Sequence, residues 1–399
     1  MSIGRPIALL AAAIFLGGVD ATNDVPDSRT RGMIATSQQS ADTFPTFDRV
    51  VQLERTSETS ANVSIGDVNG DGKLDIVLAK GRHWPLVDRV LIGDGAGGFN
   101  PGYDLGTASD RTYSGRLVDL DRDGDLDVVI SNDAPDPKRV YLNDGKGRFR
   151  VGSTFGDPKW PTRNATVADI NGDGLPDIVV ANRGGNSSAN YVCLNRGAGR
   201  FDADCIAFSR EPATTITAAD FNGDGRVDLA VPFRDRGQSR VYLAVPGGTF
   251  DATRTIPFGP PNAAIRMTEA ADLDGDGRLD VVAIDERVGT TIYFGHPSGG
   301  FADGVPVAGA TPTPYALAVA DVNGDGKPDV IVGNVEAPSA VHFNDGTGRK
   351  FHSIRVGDDK GTVYGFAVAD LDGDGTVDIA VARSDAPNVV YVGHRTTRK

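Results

Sequence analysis

The sequence predicts an all-β chain, a seven-bladed β-propeller with four antiparallel strands per blade, closed by an N-terminal strand that completes the last blade. Three observations predict it. A nine-residue acidic loop returns seven times, beginning at Asp67, Asp119, Asp169, Asp220, Asp272, Asp321 and Asp370, at spacings of 52, 50, 51, 52, 49 and 49. A fixed period of about fifty residues marks a radial or solenoid repeat. Every loop runs into a short β-branched stretch, and in six units a Gly-rich hairpin ending in Phe follows. Four strands per unit make a propeller blade.

The elements follow in chain order. The segment FDRVVQLERTS from Phe47 reads as an outer strand with no blade of its own, because Phe47 precedes Asp67 by 20 residues and each hairpin Phe precedes the next acidic loop by 19 to 22. The last unit runs out at Lys399, 21 residues after Asp378, where its own fourth strand should begin. Pairing these two ends removes an exposed sheet edge. Each inner strand ends in Gly66, Val118, Ala168, Ala219, Ala271, Ala320 or Ala369, mostly small side chains that suit a crowded central axis. The second strands are IVLA (76–79), VVIS, IVVA, LAVP, VVAI, VIVG and IAVA, apolar runs bounded by turn residues. Third strands lead into hairpins such as RVLIGDGAGGF, ending at Phe99, and RVYLNDGKGRF, ending at Phe149, with counterparts at Phe201, Phe250, Phe301 and Phe351. A fourth strand follows each Phe.

The loops read Asp-x-Asn/Asp-x-Asp-Gly-x-x-Asp. The candidate ligands are Asp67, Asn69, Asp71 and Asp75; Asp119, Asp121, Asp123 and Asp127; Asp169, Asn171, Asp173 and Asp177; Asp220, Asn222, Asp224 and Asp228; Asp272, Asp274, Asp276 and Asp280; Asp321, Asn323, Asp325 and Asp329; and Asp370, Asp372, Asp374 and Asp378. Oxygen donors at positions 1, 3, 5 and 9, with a Gly for the sharp turn, suit a hard cation that gathers about six to eight oxygens. Position 7 varies (Lys73, Asp125, Leu175, Arg226, Arg278, Lys327, Thr376), as expected if only its carbonyl binds. Tight-turn chemistry alone explains one Asn-Gly or Asp-Gly, but not a first and last Asp in all seven copies. An EF-hand is excluded, since its twelfth position carries Glu and here holds Leu78, Ile130, Val180, Val231, Ala283, Val332 or Val381. The expected cofactor is calcium, up to seven structural ions.

This pattern resembles the FG-GAP or VCBS repeat, the blade of the integrin α-subunit head and of many secreted proteins, over residues 47–399. The resemblance implies calcium in the loops and leaves the ligand open. Unlike integrins, the chain carries an acidic loop in every blade and no inserted domain, so a receptor function is not carried over.

Residues 1–21 read as a signal peptide, with Arg5, an apolar stretch from Ile7 to Leu16 and cleavage after Ala21. The alternative is an uncleaved anchor. Residues 22–43, rich in Ser, Thr, Asp and Gln, read as a disordered linker to the propeller at 44–399. The expected location is outside the cell or in the periplasm, with no membrane-spanning segment. The net charge of −14 matches the loops, whose candidate ligands include 24 of the 54 acidic residues, and seven divalent ions would cancel it. No basic patch with interleaved aromatics argues for nucleic acid. The two cysteines, Cys193 and Cys205, flank the hairpin before Phe201 and can bond across it in an oxidising compartment, the alternative being two buried free thiols. Asn62, Asn164 and Asn186 head Asn-x-Ser/Thr sequences, which matter only in a glycosylating host.

Calcium loops on one face leave the other for recognition. There the residue six before each first Asp falls at the channel mouth: Ala61, Tyr113, Arg163, Thr214, Arg266, Tyr315 and Tyr364. Neighbouring loops add His83, Trp84, Trp160, Arg183, Arg234, Arg236, Glu286 and Arg287. Aromatic faces beside Arg donors suit a carbohydrate. The candidate ligand residues are Trp84, Tyr113, Arg163, Arg266, Tyr315 and Tyr364. The expected function is a monomeric binding or adhesion module for a glycan or cell-surface protein. A polysaccharide lyase or hydrolase, using His83 with Arg163 or Tyr113 with Arg266, and a scaffold in an extracellular assembly are the alternatives.

Overall fold

The structure, a computed structural model, describes residues 44–184, 189–202, 204–307 and 313–395. The expected signal peptide and linker, 1–21 and 22–43, lie outside the described residues, as does Asn186. Seven four-stranded antiparallel sheets form the blades. The first strands, from Ser60–Gly66 to Thr362–Ala369, pack against those of neighbouring blades around the axis. Each ends by pairing its last residue with the ninth loop residue, Gly66 with Asp75 and Ala369 with Asp378, so that the acidic loop is the tight connection between two buried strands.

The seventh blade is composite. Thr362–Ala369, Asp378–Ser384 and Val389–His394 supply three strands, and Thr46–Gln52 pairs antiparallel with Val389–His394 as the fourth, Gln52 opposite Val389. Phe47, 8% exposed, is the apolar anchor of that strand and sits in a cluster with Phe343, Val356 and Tyr391. The buried apolar residues form seven clusters, each made from two adjacent blades, including one between blades seven and one built on Leu371, Val390, Ile76 and Leu78. The core therefore lies between blades, and closure leaves no blade with a bare face.

The acidic loops join this core through their second residue. Val68, Leu120, Ile170, Leu273, Val322 and Leu371 are buried, and Phe221 is partly buried. Three loops are also tied to the next blade: the Asn143 side chain donates to the Val68 carbonyl at 2.8 Å, Asn195 to Leu120 at 2.9 Å and Asn344 to Leu273 at 2.8 Å.

The outer strands are less regular than the repeat suggests. In blades one and five the fourth strand shrinks to Tyr103–Asp104 and Val305–Pro306, whereas in blade four it extends over Thr249–Ala263. Outer strands pair on one side only, so prolines cost little there, as at Pro306 and at Pro257, Pro260 and Pro261 in the long strand of blade four. Cys193 and Cys205 are bonded across the third and fourth strands of blade three.

Candidate functional site

The two faces of the disc differ in chemistry. On one, the first Asp of each loop folds the loop around its own carboxylate: the Gly70 N–H donates to one Asp67 oxygen and the Gly72 N–H to the other, both at 2.8 Å. Gly70 and Gly72 have φ of 72° and 82°, the left-handed region where a Cβ is penalised. Arg122 takes the same conformation in the second loop, at φ 62°. The ninth Asp lies deeper. Asp75 accepts the Val68 N–H at 3.0 Å and the Gly93 N–H at 2.9 Å, pinning the loop to the end of the third strand. Its counterparts do the same in every blade. Burial pushes Asp127, Asp177, Asp228, Asp280, Asp329 and Asp378 up to about 6 despite these bonds.

These donors fit a hard cation. Carboxylate oxygens of Asp119, Asp121 and Asp127 lie within 4.8 Å of one another, as do those of Asp272, Asp274 and Asp276 and of Asp370, Asp372 and Asp374. One oxygen of Asp119 and one of Asp274 are buried without a hydrogen-bond partner, an arrangement that a cation would satisfy. Position 7 is more than a carbonyl. The Arg226 and Arg278 guanidiniums pair with the fifth-position carboxylates Asp224 and Asp276, and Lys327 lies 3.6 Å from Asp325. A long cation two residues from an acid folds back onto it when nothing else neutralises that charge.

On the opposite face, all seven residues expected at the channel mouth line one cavity of about 280 Å³. The fold explains this. In six inner strands the ladder shifts register at that residue, skipping Ala61, Tyr113, Arg163, Arg266, Tyr315 and Tyr364. In blade four the inner strand begins at Thr217, after Thr214. Each skipped residue is the extra member of a β-bulge, which re-aims its side chain away from the ladder.

Around the mouth, guanidiniums cover tyrosine rings: Arg82 over Tyr364 at 3.6 Å, Arg163 over Tyr113 at 4.6 Å and Arg266 over Tyr315 at 3.2 Å. Tyr315 and Tyr364 meet edge to face at 4.9 Å. Acidic partners hold four of the arginines in place, among them Arg163–Asp133 at 2.6 Å, Arg183–Asp235 at 2.8 Å and Arg266–Glu286 at 3.3 Å. Glu286 also receives Arg234 at 2.5 Å. Deeper in the cavity, burial pushes Glu269 up to about 7, and the Arg116 charge opposes that rise. The Tyr113 hydroxyl is 3.3 Å from the His83 ring, whose pKa is lowered by burial and then by Arg82 and Arg163.

Trp84 stands apart. Its N–H closes a turn onto the Gly81 carbonyl at 2.8 Å, and the indole is 69% exposed and is not part of the cavity wall. The turn sends Arg82 inward instead, at φ 48°. Trp160 is likewise committed elsewhere, stacked on Tyr191 at 3.9 Å. Arg82, Arg116 and Glu269 escape the sequence reading. A signal for two of them exists: three residues before each first Asp stand Ser64, Arg116, Thr166, Thr217, Glu269, Ala318 and Ala367, a small-residue ring with one charge of each sign. Asn62 and Asn164, 7% and 8% exposed in inner strands, are closed to glycosylation in the folded protein.

The FG-GAP-like repeat model matches residues 67–130, 119–180, 169–231, 220–283, 272–332 and 321–381. The chain belongs to the FG-GAP-like repeat family. Each FG-GAP match runs from one acidic loop through the second strand of the next blade, so the six together span all seven loops. No curated protein matches the chain. Among solved structures, this FG-GAP propeller is similar to BBS1N in complex with ARL6DN, in mercury-soaked and lead-soaked crystals, with a TM-score of 0.56 to each. Identity is 12% and 14%, over 88% and 86% of this chain and 97% and 94% of the other. That likeness is one of fold. No helix among the described residues is long and apolar enough to cross a membrane.

Proposed function

We propose that this FG-GAP propeller is a secreted, calcium-stabilised binding module that recognises a glycan through its channel mouth. The observation that carries the reading is the ring of bulges, which turns one side chain from each of six blades out of the ladder and into a shared cavity. A cell-surface protein is the other partner class this face suits. On a glycan array, binding is expected in calcium, lost with Tyr315→Ala and retained with Trp84→Ala, because only Tyr315 lines the cavity. Retention with Tyr315→Ala would overturn the assignment of the face.

The contact between His83 and the Tyr113 hydroxyl favours a second reading, a polysaccharide-acting enzyme, since a neutral imidazole beside a phenol is an acid/base pair. Release of new chain ends from a polysaccharide, abolished by His83→Ala, would establish it.

For calcium, the position-7 cations grade the loops. Arg278 must leave Asp276 before that carboxylate can face an ion. Arg278→Ala is therefore expected to tighten calcium binding at the fifth loop about threefold to tenfold, read by competition with a chromophoric chelator. An unchanged affinity would show that the pair imposes no cost.

A further inference from the structure

We infer that the channel mouth receives an acidic sugar residue, its carboxylate or sulfate held by arginines, and not the apolar face of a neutral sugar. This rests on the glycan-binding reading above and names the ligand class within it.

Three observations lead here. The faces of Tyr113, Tyr315 and Tyr364 that a sugar ring would stack against are covered by Arg163, Arg266 and Arg82. Guanidiniums held this way are rigid, which lowers the entropy lost when they grip a ligand. The cavity wall carries six arginines against one acid, Glu269, although the chain as a whole is at −14. Of these arginines, Arg82 pairs with no carboxylate among the described residues; it lies over tyrosines, and its Nε is buried with no hydrogen-bond partner.

The third observation is a concentration of unmet hydrogen bonds in this one wall. Besides Arg82 Nε, the buried Arg183 Nε, Thr214 Oγ1, Thr215 Oγ1 and Asn164 Oδ1 have no partner. Asn164 is more than nine-tenths buried. Buried polar groups left unpaired cost about 1–3 kcal/mol each, so a cluster of them points to a missing occupant. Two guanidinium N–H groups and two hydroxyls can all donate, which suits an oxyanion. The Asn164 carboxamide and the threonine oxygens can also accept from sugar hydroxyls, which a bare oxyanion lacks. A cavity of about 280 Å³ falls below the size of most drug-sized ligand pockets, about 300–1,000 Å³, and suits one residue at the end of a chain.

The test is calorimetric titration of the calcium-loaded protein at fixed ionic strength with glucuronate, glucose and inorganic sulfate. Glucuronate is expected to bind at least about tenfold more tightly than glucose, and Arg82→Met to lower glucuronate affinity about tenfold, the worth of one charge-assisted hydrogen bond. Arg82→Lys should recover part of the loss. Should Arg82→Met fail to fold, Thr215→Val serves as the second variant, with an expected loss of about fivefold. Equal affinity for glucose and glucuronate, or no effect of either variant, would overturn the inference. Neutral glycans alone binding on the array would overturn it while leaving the glycan reading intact. Sulfate binding without any sugar binding would sink both.

Discussion

Stripping calcium from the loaded protein with EDTA is expected to lower its melting temperature by more than any single core substitution. Every loop places three to five acidic side chains in nine residues, and in the second, fifth and seventh loops three carboxylates converge within 4.8 Å. Without an ion, that charge is balanced by backbone N–H groups and, in four loops, by Arg226, Arg278, Lys327 or Arg49, the last reaching Asp372 from the closing strand. A site filled at one hundred times its dissociation constant adds about 2.7 kcal/mol, so several sites together exceed the whole stability of many domains. The ninth carboxylates set the pH dependence. Six of them have folded pKa values raised to about 6 in the metal-free state, so the fold favours their protonated form. In metal-free protein this burden is greatest above pH 6 and is relieved as the pH falls through 6 toward the ordinary carboxylate range. Calcium requires the charged form. The gap between melting temperatures with and without calcium is therefore expected to be wide at pH 7.5 and to narrow as pH falls through 6. Equal melting temperatures with and without EDTA at pH 7.5, in protein proved metal-free, would remove the stabilising role from the loops.

Phe47→Ala is expected to cost about 3–5 kcal/mol, read as a drop in the urea midpoint. The strand Thr46–Gln52 is largely exposed apart from this side chain, which sits against Phe343, Val356 and Tyr391 between blades six and seven. Its ladder to Val389–His394 spans only a few residue pairs, and ring closure depends on it. Losing the anchor weakens one strand and both interfaces of the blade it completes. The comparison is Val151→Ala, at 55% exposed in another outer strand, which should stay within about 0.5 kcal/mol of wild type. A Phe47→Ala protein as stable as Val151→Ala would mean that the closing strand is an ornament of the ring and not its fastening.

Much of the fold is legible because the signals recur seven times. Period, apolar runs and hairpins all report backbone requirements that no blade escapes, and the fourth strand of the last blade follows from counting residues back from Asp67. The lengths of the outer strands are not legible, because a strand paired on one side only is weakly constrained by its own residues: the longest, Thr249–Ala263, holds three prolines. The mouth ring is found by position alone. Nothing in the sequence shows that Tyr113 or Arg266 sits in a bulge, since a one-residue shift depends on the partner strand and not on the residue itself. Trp84 and Arg82 illustrate the remaining limit: two residues apart in one loop, they point to solvent and to the cavity, and the sense of that turn is set by the left-handed conformation of Arg82.

The bulges have an evolutionary consequence. A side chain left out of the pairing ladder can be exchanged without disturbing the strand that carries it, so six of the blades each contribute one letter to the channel mouth that the ladder does not constrain. Ala61, opposite in character to Tyr113 and Arg163 at the equivalent place, shows how far those letters can diverge on an unchanged frame. On the proposed reading, new specificities are reached by rewriting those six positions, leaving the ring itself untouched.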